Sequence, residues 1–327
     1  MKAQFFIISS VIIIYIIILT FQYLAGFSDI RLTQIEEQQE LSFIPSIKDS
    51  FILTFQASNN SSNGDLEKVI RDIYFTEDFF KKEMLKKGIK FDSNFIFFSN
   101  GFETSDLSKW TGSYGNPEVV NIEYHGNYSL YCDDIEYVYK NLAGMSEIYV
   151  RVYVNFTTLP SNNNIHYFMG FYDNGNQILN LGLWNDQNNY KLRVYSEAVG
   201  NYWTSPNIDI HVDRRYFYED RWQYFDAYYF EMYWYESGTD SKLKVWFEGR
   251  LKIDETINSQ GNGKSINEYR FGGVDIGGIE IPRLYVDCIS IGDRHIGKDC
   301  YPDEEPYFIF SLKSKEMKTK TEFGYGG

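Results

Sequence analysis

The sequence predicts an all-β fold, an antiparallel two-sheet sandwich, preceded by a transmembrane helix and a short helical stalk. Three observations predict it. Several runs alternate apolar and polar residues with a period of two, so that each strand offers one face to a core. Asn- and Gly-rich turn signals separate those runs at short intervals. Aromatic residues make up 18% of the chain, with 28 Tyr, 26 Phe and 6 Trp, and such rings suit pleated, half-buried surfaces.

The N-terminal element comes first. Phe5 to Ala25 is an uncharged, mostly apolar run of about twenty residues, which matches the thickness of a bilayer core. Lys2 ahead of it places the N-terminus in the cytoplasm and the bulk of the chain outside the cell. A cleaved secretory signal is the alternative, but the apolar run exceeds the usual length and Ala25-Gly26-Phe27 is no clean small-x-small site. The organisation expected is an anchor at 1–27, a helical stalk at 28–92, the sandwich at 93–300 and a tail at 301–327. Sequons at Asn59, Asn60, Asn127 and Asn155 are candidate glycosylation sites and fit an external location.

Within the stalk, Asn59 to Gly64 reads as a loop. A helix then runs from an Asp65 cap to a Gly88 stop, with acids early and lysines late. Leu66, Val69, Ile70, Ile73, Phe79, Phe80 and Leu85 form its apolar stripe. That stripe serves either assembly of a stalk or packing on the chain's own domain.

The strands follow. In Ile148 to Val154 the aliphatics point one way and Tyr149, Arg151 and Tyr153 the other. In Ile178 to Trp184 the leucines oppose Asn180 and Trp184. Leu192 and Val194 alternate with Lys191, Arg193 and Tyr195, and Leu243, Val245 and Phe247 obey the same rule, as do Leu284, Val286 and Cys288. Turns are expected at 173–176, 185–189, 237–240 and 248–249. Tyr307 to Leu312 is a further strand candidate in the tail.

The net charge of −14 repels phosphate backbones and argues against a nucleic-acid partner. Three cysteines without CxxC spacing argue against structural zinc. There is no Gly-x-Ser-x-Gly elbow and no HExxH. Gly261 to Ser265 ends like a phosphate loop, but Asn258 stands where its first glycine belongs, so it reads as a surface turn. Asp226 and Glu231 share one strand at an odd separation, which sets them on opposite faces. Trp222 and Trp246 read as core. By alternation or loop position, Arg151, Tyr153, Asn180, Trp184, Arg193, Tyr195 and Trp203 face outward. If their strands are neighbours, they form a patch on which a sugar could stack, with amide and guanidinium groups fixing its orientation.

Two resemblances add to this. Lys2-Ala3-Gln4-Phe5 resembles the class III signal of archaeal pilin-like proteins, which are cut after the small residue and assemble through the apolar helix. Ile8 stands where many of them carry Glu. Gly101 to Trp110 resembles the opening strand of concanavalin A-like, laminin-G-like jelly rolls, and His125 to Leu130 their second strand. Arg221 to Gln223 with Lys242 to Gly249 resembles their late strands and hairpin, and Leu284 to Ser290 their closing strand. The match spans about residues 95–298. It implies a two-sheet jelly roll, often lectin-like, sometimes a glycan hydrolase or lyase, sometimes an adhesion module. No Glu-x-Asp-x-x-Glu string of the glycanases is present. First and last strands pair in such folds, which implies that Glu103 lies near Asp287 and could hold a structural Ca²⁺ through carboxylate oxygens. The same pairing implies a Cys132–Cys288 disulfide, with Cys288–Cys300 as its rival. The function expected is a membrane-anchored surface protein that binds a glycan or surface glycoprotein. A filament or homo-oligomer subunit and a glycan-cleaving enzyme are the alternatives.

Overall fold

Branched aliphatics that alternate with polar residues do become extended chain, and the strands they form stack into two layers. The computed structural model describes residues 32–62, 66–122, 126–197, 199–211, 215–218, 221–224, 227–259, 266–274, 280, 282–297, 307–313 and 318–324. The expected membrane segment, His125, Asp226, Cys300 and the 261–265 turn lie outside them. Among the described residues no helix is long and apolar enough to cross a membrane.

Two helices, α1 (Leu32–Ser62) and α2 (Leu66–Lys86), come first. The strands are β1 (Lys90–Asn100), β2 (Gly112–Tyr114), β3 (Glu118–Val120), β4 (Ser129–Cys132), β5 (Tyr137–Met145) and β6 (Glu147–Phe156). Next come β7 (Ile165–Asp173), β8 (Asn176–Asp186), β9 (Asn189–Ser196), β10 (Asn201–Asn207), β11 (Arg215–Tyr218) and β12 (Arg221–Tyr224). The last are β13 (Tyr228–Tyr235), β14 (Ser241–Phe247), β15 (Arg250–Ile257), β16 (Ile266–Gly272), β17 (Leu284–Gly292), β18 (Tyr307–Lys313) and β19 (Lys318–Gly324).

The first sheet has the order β15-β14-β13-β6-β17-β1-β18-β19, with β4 and β3 alongside β17. The second has the order β10-β9-β8-β7-β16-β5-β2. Both are antiparallel throughout, and β11–β12 form a separate hairpin. The closing strand β17 pairs with β1, which precedes the Gly101–Trp110 segment expected to open the fold. β18 runs beside β1 and β19 beside β18, so the tail widens the first sheet.

The inner faces are the aliphatic faces read from alternation. Ile148, Val150, Val152 and Val154 of β6 meet Leu179, Leu181 and Leu183 of β8 and Leu192 and Val194 of β9 in one buried core. Rings lock the layers together: Phe168 lies 4.7 Å from Phe230, and Phe271 lies 5.8 Å from Trp110. The predicted turns close hairpins where positive φ is needed, at Asn174-Gly175, Gln187-Asn188 and Glu248-Gly249.

Four readings of the strands are corrected. Gly101 to Trp110 is a run of turns after β1, because Phe102 and Ser105 take positive φ, which breaks regular strand pairing. Cys288 leaves the inward series: a bulge between Asp287 and Ser290 gives it φ 48° and turns it toward Tyr153 and Tyr229. Trp246 is not core but stacks 4.9 Å from His295 on the outer face. Asn155 lies in β6 and is 2% exposed, so the folded chain offers no glycan acceptor there. Asn60 and Asn127 are exposed. The side chains of Asn59 and Trp222 lie outside the described residues.

The helices pack on their own domain. Ile47 and Phe51 of α1 and Val69, Ile73, Phe80 and Met84 of α2 join the sandwich core. Phe51 stacks 6.0 Å from Phe80 and 6.3 Å from Phe91. Ser58 Oγ donates to Asp72 Oδ2 at 2.7 Å between the helices. The stripe differs from the one expected. Met84 is buried and Leu85 exposed, because Met84 follows Val69, Ile73, Glu77 and Phe80 at three- and four-residue steps along one helix face. Glu77, in the same stripe, is buried and accepts from Arg294 Nη2 at 2.5 Å. The loop read at 59–62 is the end of α1.

Cys132 is a buried free thiol and Cys288 is disulfide-bonded, so the Cys132–Cys288 bridge is corrected. The register sets Cys132 opposite Leu284. Cys288 is four residues further along, about 13 Å of strand, and a disulfide needs Cα atoms within about 7 Å. Burial pushes the Cys132 thiol up to about 12.

Two outcomes test this arrangement. Peptide mapping without reduction is expected to recover Cys288 joined to Cys300, and Cys132 is expected to react with a thiol reagent only in denaturant. Phe51→Ala is expected to lower unfolding free energy by about 3–5 kcal/mol. A free-hanging stalk would show no change in the denaturant midpoint.

Candidate functional site

Each sheet has an outer face, and the two have opposite fates. On the first, Tyr149, Arg151 and Tyr153 of β6 lie across from Tyr233, Glu231 and Tyr229 of β13. The segment 293–297 roofs this face. Glu231, fully buried, accepts from the amides of Ile296 at 2.6 Å and Gly297 at 3.1 Å, from Tyr229 Oη at 2.6 Å and from His295 Nδ1 at 3.0 Å. That hydrogen bond to Glu231 raises the His295 pKa. Arg151 is 0% exposed and donates to Ser290 Oγ at 2.6 Å and to the Gly297 carbonyl at 3.3 Å. Arg151 and Tyr153 were expected in the binding patch. They face outward, as alternation requires, but both are buried, Arg151 against the closing loop and Tyr153 against Tyr229 and Cys288.

The second sheet's outer face carries the rest of the patch. One register row crosses it: Tyr202 opposite Tyr195, Tyr195 opposite Asn180, Asn180 opposite Gly170, Gly170 opposite Arg270, Arg270 opposite Tyr139 and Tyr139 opposite Gly112. Seven strands at about 4.8 Å spacing make this face on the order of 30 Å wide. Trp203 is corrected: it pairs with Val194 and packs against the core, so its neighbour Tyr202 is the residue that faces out.

At one end the Arg193 guanidinium lies 3.4 Å from the Trp184 ring centre and 4.5 Å from that of Tyr202, two cation–π contacts. Lys191 Nζ also reaches toward Trp184, at 5.4 Å, and pairs with Asp186 at 2.6 Å. Burial lowers the Arg193 pKa. At the other end Tyr114 stacks 5.3 Å from Tyr137. Arg270 lies 3.6 Å over Tyr172 and 4.9 Å over Tyr137, with Nε on Glu268 Oε1 at 2.5 Å. Tyr202 and Tyr114 are 55% and 57% exposed, so both ends meet solvent.

The middle is a floor rather than a contact. Asn180 is 0% exposed, and its Nδ2 donates to Tyr172 Oη at 3.3 Å. It fits only because Gly170 has no side chain: a Cβ there would lie 2.4 Å from Asn180 Oδ1 and 2.6 Å from Tyr172. Tyr167, Tyr172 and Val274 close over this centre. Sequence reading missed Tyr202, Arg270, Tyr137 and Tyr114. The alternations Tyr137-Val138-Tyr139 and Glu268-Tyr269-Arg270-Phe271 carried the same signal, with Val138, Tyr269 and Phe271 buried.

Each carboxylate of the expected metal pair has hydrogen-bond partners within the protein. Glu103 is exposed, and its oxygens accept from the Asn127 and Tyr128 amides at 2.9–3.1 Å. Gly126 permits this, since a Cβ there would lie against Glu103 Oε1. Asp287 is buried and accepts from the Cys288 amide at 2.6 Å. Among the described residues no group of three or more His, Cys, Asp or Glu side chains is placed to hold a metal ion.

No family model matches the chain, and no curated protein matches it. Several solved structures align with part of it. The cellulose-induced protein Cip1 aligns with 16% identity and a TM-score of 0.43, over 62% of this chain and 99% of that one. Domain 4 of AbnA, a GH43 extracellular arabinanase from Geobacillus stearothermophilus in complex with arabinotriose, aligns with 12% identity and a TM-score of 0.41, over 62% and 94%. The receptor binding domain of a botulinum neurotoxin C/D mosaic aligns with 14% identity and a TM-score of 0.41, over 62% of this chain and 48% of that one. No residue role and no ligand is carried over from them.

The glycine floor makes a direct test possible. Gly170→Ala is expected to destabilise the domain by about 1–3 kcal/mol, read by thermal denaturation, and to shift tyrosine fluorescence through Tyr172. An unchanged melting temperature would mean that Asn180 and Tyr172 do not close over that position.

Proposed function

We propose that this protein is a glycan-recognition module that binds its ligand on the outer face of the second sheet and is displayed at a cell surface from its N-terminal apolar segment. The observation that carries the reading is the stack of half-buried Trp184 and Arg193 with exposed Tyr202. Rings packed against a cation on one face offer their other apolar faces beside its N–H donors. The C–H face of a pyranose packs on the former, and its hydroxyls accept from the latter. The layers beneath are rigid strands, so the rings are held in place before a ligand arrives and little ordering entropy is lost on binding. Display from a membrane rests on residues 5–25 and on the exposed sequons at Asn60 and Asn127.

A glycan array is expected to show retained oligosaccharides, and calorimetry with the best of them to give a measurable affinity. Trp184→Ala and Tyr202→Ala are each expected to weaken it about 10- to 100-fold, the loss of one stacked ring face at about 1.5–3 kcal/mol. The exposed position of Tyr202 should leave the melting temperature unchanged. An array blank throughout would remove the reading.

A further inference from the structure

We propose that the ligand is an acidic glycan, with Arg193 as the residue that selects its carboxylate. This rests on the glycan reading above and names the substrate class of the same site. Among the described residues three cations border the outer face of the second sheet, and two are already neutralised. Lys191 pairs with Asp186 at 2.6 Å, and Arg270 pairs with Glu268 at 2.5 Å. Arg193 differs from both. Among the described residues it makes no hydrogen bond and no ion pair, and its Nε is buried without a partner. Its guanidinium carbon lies 3.4 Å from the Trp184 ring centre and 4.5 Å from that of Tyr202, with Tyr167 and Asp186 near enough to act on its charge.

A guanidinium has five N–H donors in one plane. Rings that cover its faces leave its edge as the direction in which a partner can approach, and that edge matches the two oxygens of a carboxylate. Desolvation by the rings strengthens such a contact, since it replaces water that is already partly removed. The chain as a whole carries −14 and repels anions at long range. Salt screens that repulsion beyond about 8 Å at physiological ionic strength, so the short-range contact decides. An unpaired, half-buried cation in so acidic a chain is a costly arrangement without a ligand. A neutral sugar would not use its charge, and a uronic acid or another carboxylated sugar would, while its ring still stacks on Trp184 or Tyr202.

The test compares two ligands that differ only in charge: a β-1,4-glucan hexasaccharide and its C6-oxidised glucuronan counterpart, titrated calorimetrically into the full chain. The acidic ligand is expected to bind about 10-fold tighter or more, the size of one charge-assisted hydrogen bond. In Arg193→Gln affinity for the acidic ligand is expected to fall about 10-fold further than affinity for the neutral one, so that the preference vanishes, and Arg193→Lys, which keeps charge but not the planar fork, should restore part of it. Equal affinities in the parent protein would overturn the acid preference and leave glycan binding standing. A purely structural Arg193 would lower both affinities together and leave their ratio unchanged, and that too overturns the proposal. Binding of neither ligand, with a blank array, would remove both readings.

Discussion

Everything described here depends on one constraint: the branched aliphatics and phenylalanines of two sheets can leave water only by facing each other. Val150, Val152 and Val154 on one side and Leu179, Leu181 and Leu183 on the other have no other place to be buried. Burying them at roughly 25 cal/mol per Å² drives the layers together. Cross-sheet ring pairs such as Phe168–Phe230 then select one alignment of the layers. Once that interface forms, every second residue on each strand is committed to an outer face, whatever its chemistry.

What happens on the outer faces is set by what covers them. The first sheet's outer residues form a polar layer under a loop, and Glu231 is its centre. A buried carboxylate is tolerable only when its oxygens are fully hydrogen-bonded, and the amides of Ile296 and Gly297, Tyr229 and His295 do this. Arg294 extends the closure to the helices through Glu77. The loop, the bulge at Cys288 and the helical hairpin thus make one side of the sandwich structural. The second sheet is open at both ends, with rings and cations reaching solvent.

The same residue types therefore serve opposite roles. Arg151 and Arg193 sit one residue before an aliphatic on alternating strands and are indistinguishable by pattern. The first is fully buried and hydrogen-bonded to Ser290 and Gly297. The second lies between two rings with no hydrogen-bond or ion-pair partner among the described residues. Tyr153 and Tyr195 differ in the same way, one buried against Tyr229 and Cys288 and one half-buried on the open face. Trp203 shows the limit of alternation: a strand with few aliphatics gives no phase, and the register with β9 decided that Tyr202, not Trp203, faces out.

By itself the sequence determined the class of fold, because period-two alternation and Asn-Gly turns are local and act within a few residues. It determined the inner faces of β6, β8, β9 and β14, the hairpins between them and the α2 helix with its Gly88 stop. It also determined which residues point away from the core on those strands, so that Asn180, Trp184, Arg193 and Tyr195 of the expected patch lie on the second sheet's outer face. Only the tertiary structure decided which outer face stays open, which cysteine is bridged and that the helices pack on the domain. Those outcomes turn on contacts between residues up to about two hundred positions apart, such as Arg294 with Glu77 and Gly297 with Arg151. Such contacts arise from how the layers close, and no local pattern encodes them.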